Sequence, residues 1–360
     1  MDLYQRRRLV LGSAAWLLSS CAGAAPRKRA AAKAAAIVDD DAPDAISYGT
    51  RDDVVRFADA VAERRGLDAD WLRGALAQAR FQPLVVRYIL PSASGVAKNW
   101  NAYRARFVEP IRIRAGVAFW RDNERWLVEA EAVYGVPPEV VVGIVGVESI
   151  YGRQMGNFRI IDALATLAFD FPAGRPDRSA FFQDELENWF VLCKSEGLDP
   201  LSWRGSYAGA IGMAQFMPSS FNRFAVDFDG DGRVDLHASA ADVIGSVANY
   251  LAEFGWKRGL PARFAVEPPS ETSDRALLLA PDIVPSFTAA EMVERGARLP
   301  DAALAVDSLL ALVELQNGDA APTYVAGTTN FYALTRYNWS SYYAMAVLAL
   351  GEAVRPAAAR

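Results

Sequence analysis

A lone carboxylate interrupts one of the most apolar stretches of the chain. The segment "VVVGIVGVESIYG", Val140 to Gly152, carries Glu148 among valines, isoleucines and glycines. Desolvation penalises the charged form of a carboxyl group. A Glu held in such a setting has its pKa raised and can stay protonated near neutral pH, ready to act as a general acid. The bland alternative is a Glu at the end of a core helix, neutralised by a neighbour or reaching water. Three further blocks weigh against it: "SYAGAIGMAQFMPSSF" (206–221), "DFDGDGRVDLHASAADVIGSVANYL" (227–251) and "TRYNWSSYYAMAV" (335–347). Each sets polar or aromatic groups beside small residues.

The second block opens like a calcium loop. Asp227, Asp229 and Asp231 alternate, and Gly232 permits the sharp turn of an EF-hand. The pattern fails at position twelve, which is Ala238 rather than a bidentate Glu, and the nearby carboxylates are Asp235 and Asp242. A solvated acidic turn is the alternative, although three clustered acids without a cation repel one another. His237 is the only histidine, and calcium prefers oxygen, so it reads as a surface or groove residue. The glycines of "AGAIGMAQ" lack the spacing and preceding strand of a dinucleotide fingerprint, and no organic cofactor is expected.

The elements that must position these groups read as mostly helical. "RDDVVRFADAVAERRG" and "DADWLRGALAQAR" repeat apolar residues at three and four, with Asp68 or Asp70 as a cap. "RIRAGVAFWRDNERWLVEAEAVYG" continues the pattern to Gly135, and Pro137 and Pro138 then suit the start of the Glu148 helix. Further helices are expected over 177–196 and 240–254. Short β-branched runs in "RFAVEPP", "SLLALVELQNG" and "APTYVAGTT" suggest a small sheet between 260 and 329, before helices return.

The N-terminus differs in kind. Arg6, Arg7 and Arg8 precede an apolar run over 9–18 and the small residues "LSSC" ending at Cys21, which together make an export signal. The run is about half of the roughly 20 residues that span a bilayer. "LSSC" is similar to the lipobox of bacterial lipoproteins, in which the cysteine carries the lipid. "RRRLVLG" also resembles a twin-arginine signal, so the export route stays open. Loss of residues 1–20, with Asp2 and the three arginines, takes the formal charge from −5 to −7. An acidic mature chain argues against nucleic acid as a partner. With Cys21 lipidated, Cys193 has no partner and no disulfide framework is implied.

Glu148 with Ser149, Tyr151 and Gly152, then "GAIGMAQFMPSS", then "ADVIGSVANYL", in this order, resemble the membrane-bound lytic murein transglycosylase B family across about residues 45–355. The resemblance implies a mainly α (α+β) fold: a lysozyme-like helical core, an α domain and a small β domain towards the C-terminus. The corresponding division is a signal peptide over 1–20, a lipidated tether over 21–45, a mainly α domain over 46–135, the catalytic core over 136–259, a β-containing domain over 260–329 and closing helices over 330–360. It makes Glu148 the single catalytic acid/base. It places Ser206, Gln215, Phe216, Tyr250, Tyr337, Asn338 and Tyr343 along the substrate groove. Ser149, next to the acid, is read separately as able to hydrogen-bond and orient it, the alternative being a helix C-terminal serine that bonds its own backbone. It favours Asp242 as the closing calcium ligand after Asp227, Asp229 and Asp231, with Arg233 giving its backbone carbonyl.

The implied activity is cleavage of peptidoglycan glycan strands between N-acetylmuramic acid and N-acetylglucosamine, with a 1,6-anhydro product. The implied setting is the periplasm of a Gram-negative bacterium, with a lipid anchor in the outer membrane and cell-wall synthesis or remodelling proteins as partners. Two rivals are weighed. A lysozyme-type hydrolase needs an activated water and usually a second carboxylate, for which Asp162 and Asp170 are available. A non-catalytic wall-binding lipoprotein has no need of a protonated acid.

Overall fold

The computed structural model describes residues 47–90 and 98–358. The export signal, the tether and Cys21 lie outside the described residues. Two compact units are present, each assembled from separated segments of chain. One comprises 47–90 and 154–223, the other 98–153 and 224–358. The fold is mainly helical with two small antiparallel sheets. Among the described residues no single helix is long and apolar enough to cross a membrane.

In the first unit, helix Asp52–Arg65 ends at Gly66, whose φ of 64° suits a residue without Cβ. Of the two candidate caps it is Asp68 that accepts from Trp71 N at 2.8 Å, starting helix Ala69–Ala77. Helix Ile160–Phe169 is buried on almost all sides, which explains its continuous apolar sequence. It packs against helix Ser179–Ser195, two residues shorter at its start than the expected 177–196. A two-residue ladder joins Phe158–Arg159 to Arg204–Gly205.

In the second unit, the stretch read as one helix up to Gly135 is two. Pro110–Asp122 and Glu124–Tyr134 meet at Asn123, whose backbone (φ −123°, ψ 18°) leaves the helical region while its side chain donates to Phe119 O at 2.9 Å. Asn competes for backbone hydrogen bonds, and an apolar periodicity continuing across it hides the break. The three runs read as strands form one sheet: Arg263–Ala265 and Ala311–Asn317 both pair with Ala320–Gly327. Three short helices unread in the sequence, Thr272–Leu279, Ala289–Glu294 and Asp301–Leu304, lie between the first two strands and help form its core.

The Glu148 helix, Pro138–Ser149, packs along the last helix, Ser341–Ala358, at backbone distance. A Cβ on Gly143 would stand 2.3 Å from Val347 O, and one on Gly351 would stand 2.0 Å from Glu139 O. Two glycines, one on each helix, therefore set how closely the two backbones approach. The glycines of "VVVGIVGVES" and "LALGEAV" are thus requirements of packing.

Candidate active site

Glu148 sits in the last turn of its helix, and the chain beyond it turns under strain. Ile150, Tyr151 and Gly152 all have positive φ, at 52°, 56° and 83°. A β-branched residue in this region is an outlier that only strong surroundings hold in place. Those surroundings are visible. Tyr151 N donates to Val145 O at 3.3 Å. Ser149 Oγ accepts from Gly152 N at 3.0 Å and lies 3.3 Å from Val145 O, to which it donates. Ser149, fully buried, thus braces the turn that presents the acid through backbone bonds, as in the alternative reading, instead of lining the substrate site. The Tyr151 ring packs on Phe119 at 5.2 Å, and a Cβ on either Gly116 or Gly146 would come within 2.4 Å of its hydroxyl. Arg112 Nε donates to Gly146 O at 2.8 Å, capping the same helix end.

Around the carboxyl the walls are aromatic. Tyr343, fully buried on the last helix, donates to Glu148 Oε1 at 2.6 Å. The Tyr343 and Tyr337 rings stack at 6.2 Å and 15°, and Tyr337 meets Tyr250 at 4.8 Å. Glu148 keeps part of its surface open, yet the protein packed around its carboxyl raises the pKa to about 7. Desolvation is the larger cause, and the Tyr343 hydrogen bond, which favours the carboxylate, opposes it. The phenols respond in turn: burial first and the charge of Glu148 second raise Tyr337 and Tyr343 far above their ordinary value.

Tyr103 escaped the sequence reading. It lies on helix Trp100–Phe107, and burial together with the Glu148 charge pushes its phenol up to about 12. Trp100, Phe107 and Tyr342 surround its ring at 5.1 to 6.5 Å. The segment "NWNAYRARF" lies outside every block that the sequence pattern singles out, so it offers no motif. The only available signal was its density of aromatic residues.

The remaining groove candidates are mostly buried. Tyr337 is buried between Tyr343 and Tyr250, and Tyr250 is buried behind it, so neither presents an open ring face; Asn338, also buried, ends helix Thr329–Tyr337. In the other unit, Ser206 is 2% exposed and its Oγ accepts from Ala208 N (3.3 Å) and Ala210 N (3.0 Å), which makes it the brace of its loop. Phe216 is a core residue whose backbone bonds Ile211 in both directions. Gln215 differs: it holds a left-handed backbone (φ 52°), and its Nε2 donates to Gly212 O at 2.8 Å and Met155 O at 3.2 Å. Its Oε1 stays available as an acceptor. Glu185 fixes the helix that follows, accepting from Ser219 N at 2.9 Å and Ser219 Oγ at 2.6 Å.

The two acids available to a hydrolase are occupied structurally. Asp162 is fully buried and accepts from Arg159 Nε at 2.8 Å and Arg80 N at 3.0 Å. Asp170 accepts from Arg51 Nη1 at 2.8 Å and Tyr48 OH at 2.7 Å.

In the acidic loop, carboxylate oxygens of Asp227, Asp229 and Asp242 lie within 4.8 Å of one another. Asp231 stands outside this trio: it is exposed, and its carboxylate accepts from Arg233 N at 2.9 Å. Asp242, buried, accepts from Phe228 N and Asp235 N, each at 2.8 Å, tying both ends of the loop to helix Ala240–Glu253. Burial is the first cause that raises the Asp242 carboxyl. Gly230 and Gly232 supply the positive φ values of the turn. An all-oxygen trio at this spacing suits a hard cation such as calcium.

Several known proteins similar to this chain are named as lytic transglycosylases. The family model of the transglycosylase SLT domain matches residues 49–352. The membrane-bound lytic murein transglycosylase B of Escherichia coli (strain K12) is 39% identical over 310 residues, covering 83% of this chain and 81% of that protein. The soluble lytic transglycosylase SltB1 from Pseudomonas aeruginosa matches with a TM-score of 0.77 and 37% identity over 86% of this chain and 100% of that chain. The lytic transglycosylase Slt35 of Escherichia coli, solved in complex with calcium, matches with a TM-score of 0.74 and 37% identity, covering 88% and 97% of the two chains. With the family model matched from residue 49 to residue 352, and a helical fold that carries an acid in an aromatic pocket, the chain belongs to the transglycosylase SLT family and is a lytic transglycosylase.

Proposed function

We propose that this enzyme cleaves the β-1,4 bond between N-acetylmuramic acid and N-acetylglucosamine in peptidoglycan, with Glu148 as its single acid and base. The observation that carries the reading is the Glu148 carboxyl: poised at about 7 by burial, reachable from solvent and hydrogen-bonded by Tyr343. Protonated Glu148 gives its proton to the glycosidic oxygen as the bond from C1 breaks. The muramic C6 hydroxyl then attacks C1, and the Glu148 carboxylate, steadied by the Tyr343 phenol, takes the proton of that hydroxyl. The proton count closes without water and the product is a 1,6-anhydro sugar. The engagement of Asp162 and Asp170 in ion pairs speaks against a hydrolytic route through either of them. Gln215 Oε1 and the amide of Asn338 are the groups suited to acetamido and hydroxyl contacts.

Asp227, Asp229 and Asp242 hold a structural calcium ion in this reading, with Asp231 and the Arg233 carbonyl completing the loop. The calcium complex of Slt35 supports it. The enzyme acts in the cell envelope, anchored through Cys21. Its relatives are called membrane-bound in one case and soluble in another, so the anchor rests on the sequence of residues 18–21. A Cys21→Ala chain that stays in the membrane fraction would remove it.

Mass spectrometry of sugars released from purified peptidoglycan tests the chemistry. Anhydro-muramic products that disappear in Glu148→Gln are expected. Products one water heavier would instead make the enzyme a hydrolase.

A further inference from the structure

Among the described tryptophans, Trp339 alone is exposed, at 50%, and it follows directly after the buried Asn338. One exposed ring is by itself ordinary, but an indole offers both a broad apolar face and an N–H donor, the combination favoured at binding surfaces. The ring is also held still. The Arg336 guanidinium lies 4.0 Å from its centroid, and Tyr332 meets it edge-on at 6.2 Å. Arg336 is itself fixed, donating from Nη1 to Tyr332 OH at 3.0 Å, while Tyr250 OH donates to its carbonyl at 2.7 Å. It makes no ion pair among the described residues, and its buried Nε has no acceptor there. The guanidinium is shared between two rings, lying 4.8 Å from the Tyr332 centroid and closer to the indole, which it holds from one side.

A row of contacts therefore runs from the acid to this ring: Glu148, Tyr343, Tyr337, Tyr250, Arg336 and Trp339, all within one unit. A pyranose presents a flat face of C–H groups, polarised positively, which suits the electron-rich face of an indole. An indole pinned by a cation on its other side loses little freedom when a sugar settles on it. Its Nε1–H is a donor for a ring hydroxyl.

We propose that Trp339, backed by Arg336, is a stacking platform for a sugar of the glycan strand outside the bond being cleaved, so that it sets the affinity for longer strands. This rests on the glycan-cleaving reading, but its test is one of binding and does not need turnover.

The experiment titrates a β-1,4-linked N-acetylglucosamine hexamer into the Glu148→Gln protein by calorimetry, and follows the indole N–H signals by NMR. Expected are a Trp339 signal that moves with the hexamer, affinity roughly tenfold weaker in Trp339→Ala, on the scale of one indole face no longer covered, and most of it regained in Trp339→Phe. Both variants should melt as the parent does, because the ring is half exposed. An unmoved Trp339 signal, an unchanged affinity, or no hexamer binding by the parent would each overturn the platform. If the platform signature is present while the unmutated enzyme releases no anhydro sugars, the cleavage reading fails and the platform stands.

Discussion

Tyr343 donates its phenolic hydrogen to Glu148 Oε1 at 2.6 Å, so the group that stabilises the carboxylate is fixed inside the pocket that disfavours it. Burial keeps the proton on Glu148, and the phenol makes its departure tolerable. An acid that must later act as a base needs both. In Tyr343→Phe only burial remains, so the Glu148 pKa moves above about 7 and the alkaline limb of kcat/KM moves up with it. The step that needs the carboxylate suffers, and kcat is expected to fall by about ten- to a hundredfold, the scale of a hydrogen bond to a charged group. A pH–rate profile showing the same limb in both proteins would contradict this.

Glu148→Gln keeps the size and removes the proton chemistry. Its turnover is expected to fall by on the order of a hundredfold or more. In the unmutated enzyme, kcat/KM should decline as pH rises through about 7, because free enzyme must start protonated.

The same titration acts on stability, in the opposite direction to an ordinary salt-bridged acid. The folded-state pKa lies above the ordinary 4.5, so the contribution of Glu148 is fully present below 4.5 and is lost as pH rises through about 7. Thermal melts should therefore show Glu148→Gln gaining on the unmutated protein between these limits, with the gap constant above them. A gap that does not change with pH would rule the titration out.

Removal of calcium should lower the melting temperature of the unmutated protein, and Asp227→Ala or Asp242→Ala should abolish the response to added ion. Asp242→Ala is expected to cost more without any ion, because its carboxylate also holds Phe228 N and Asp235 N. Asp231→Ala, at an exposed position outside the trio, should cost least. Melting curves with calcium and with chelator, for the three variants, decide the order.

Gly143→Ala puts a methyl group 2.3 Å from Val347 O, where backbone rather than a flexible side chain must give way. We expect about 1–3 kcal/mol of destabilisation from overpacking, read from denaturant midpoints. Activity should drop as well, because the same contact sets the distance between Glu148 and Tyr343.

The helices and the acid could be read directly because each depends on local pattern. Apolar spacing marks the helices, and an isolated carboxylate in an apolar run marks Glu148. The partners of that acid could be named only by resemblance to a family, since nothing local links Tyr343 to a residue so distant in the chain. Tyr103 was missed for the same reason, belonging to a segment with no motif of its own. The split at Asn123 was hidden by an apolar rhythm that continues across it. In the acidic loop, alternation put Asp231 beside its neighbours, but the turn directs its carboxylate to Arg233 N. Ser206 and Phe216 lie in a distinctive block, yet their burial depends on how that loop folds back on itself.

The Glu148 and Tyr343 side chains meet across 195 positions of sequence. The helix carrying the acid can form early, but its pocket closes only when residues 341–358 dock against it. Contacts this distant form late and slowly. A nascent or truncated chain ending before Tyr343 thus carries the acid without the wall that tunes it. The tuning of the acid is therefore completed by the helix that comes last in the described chain.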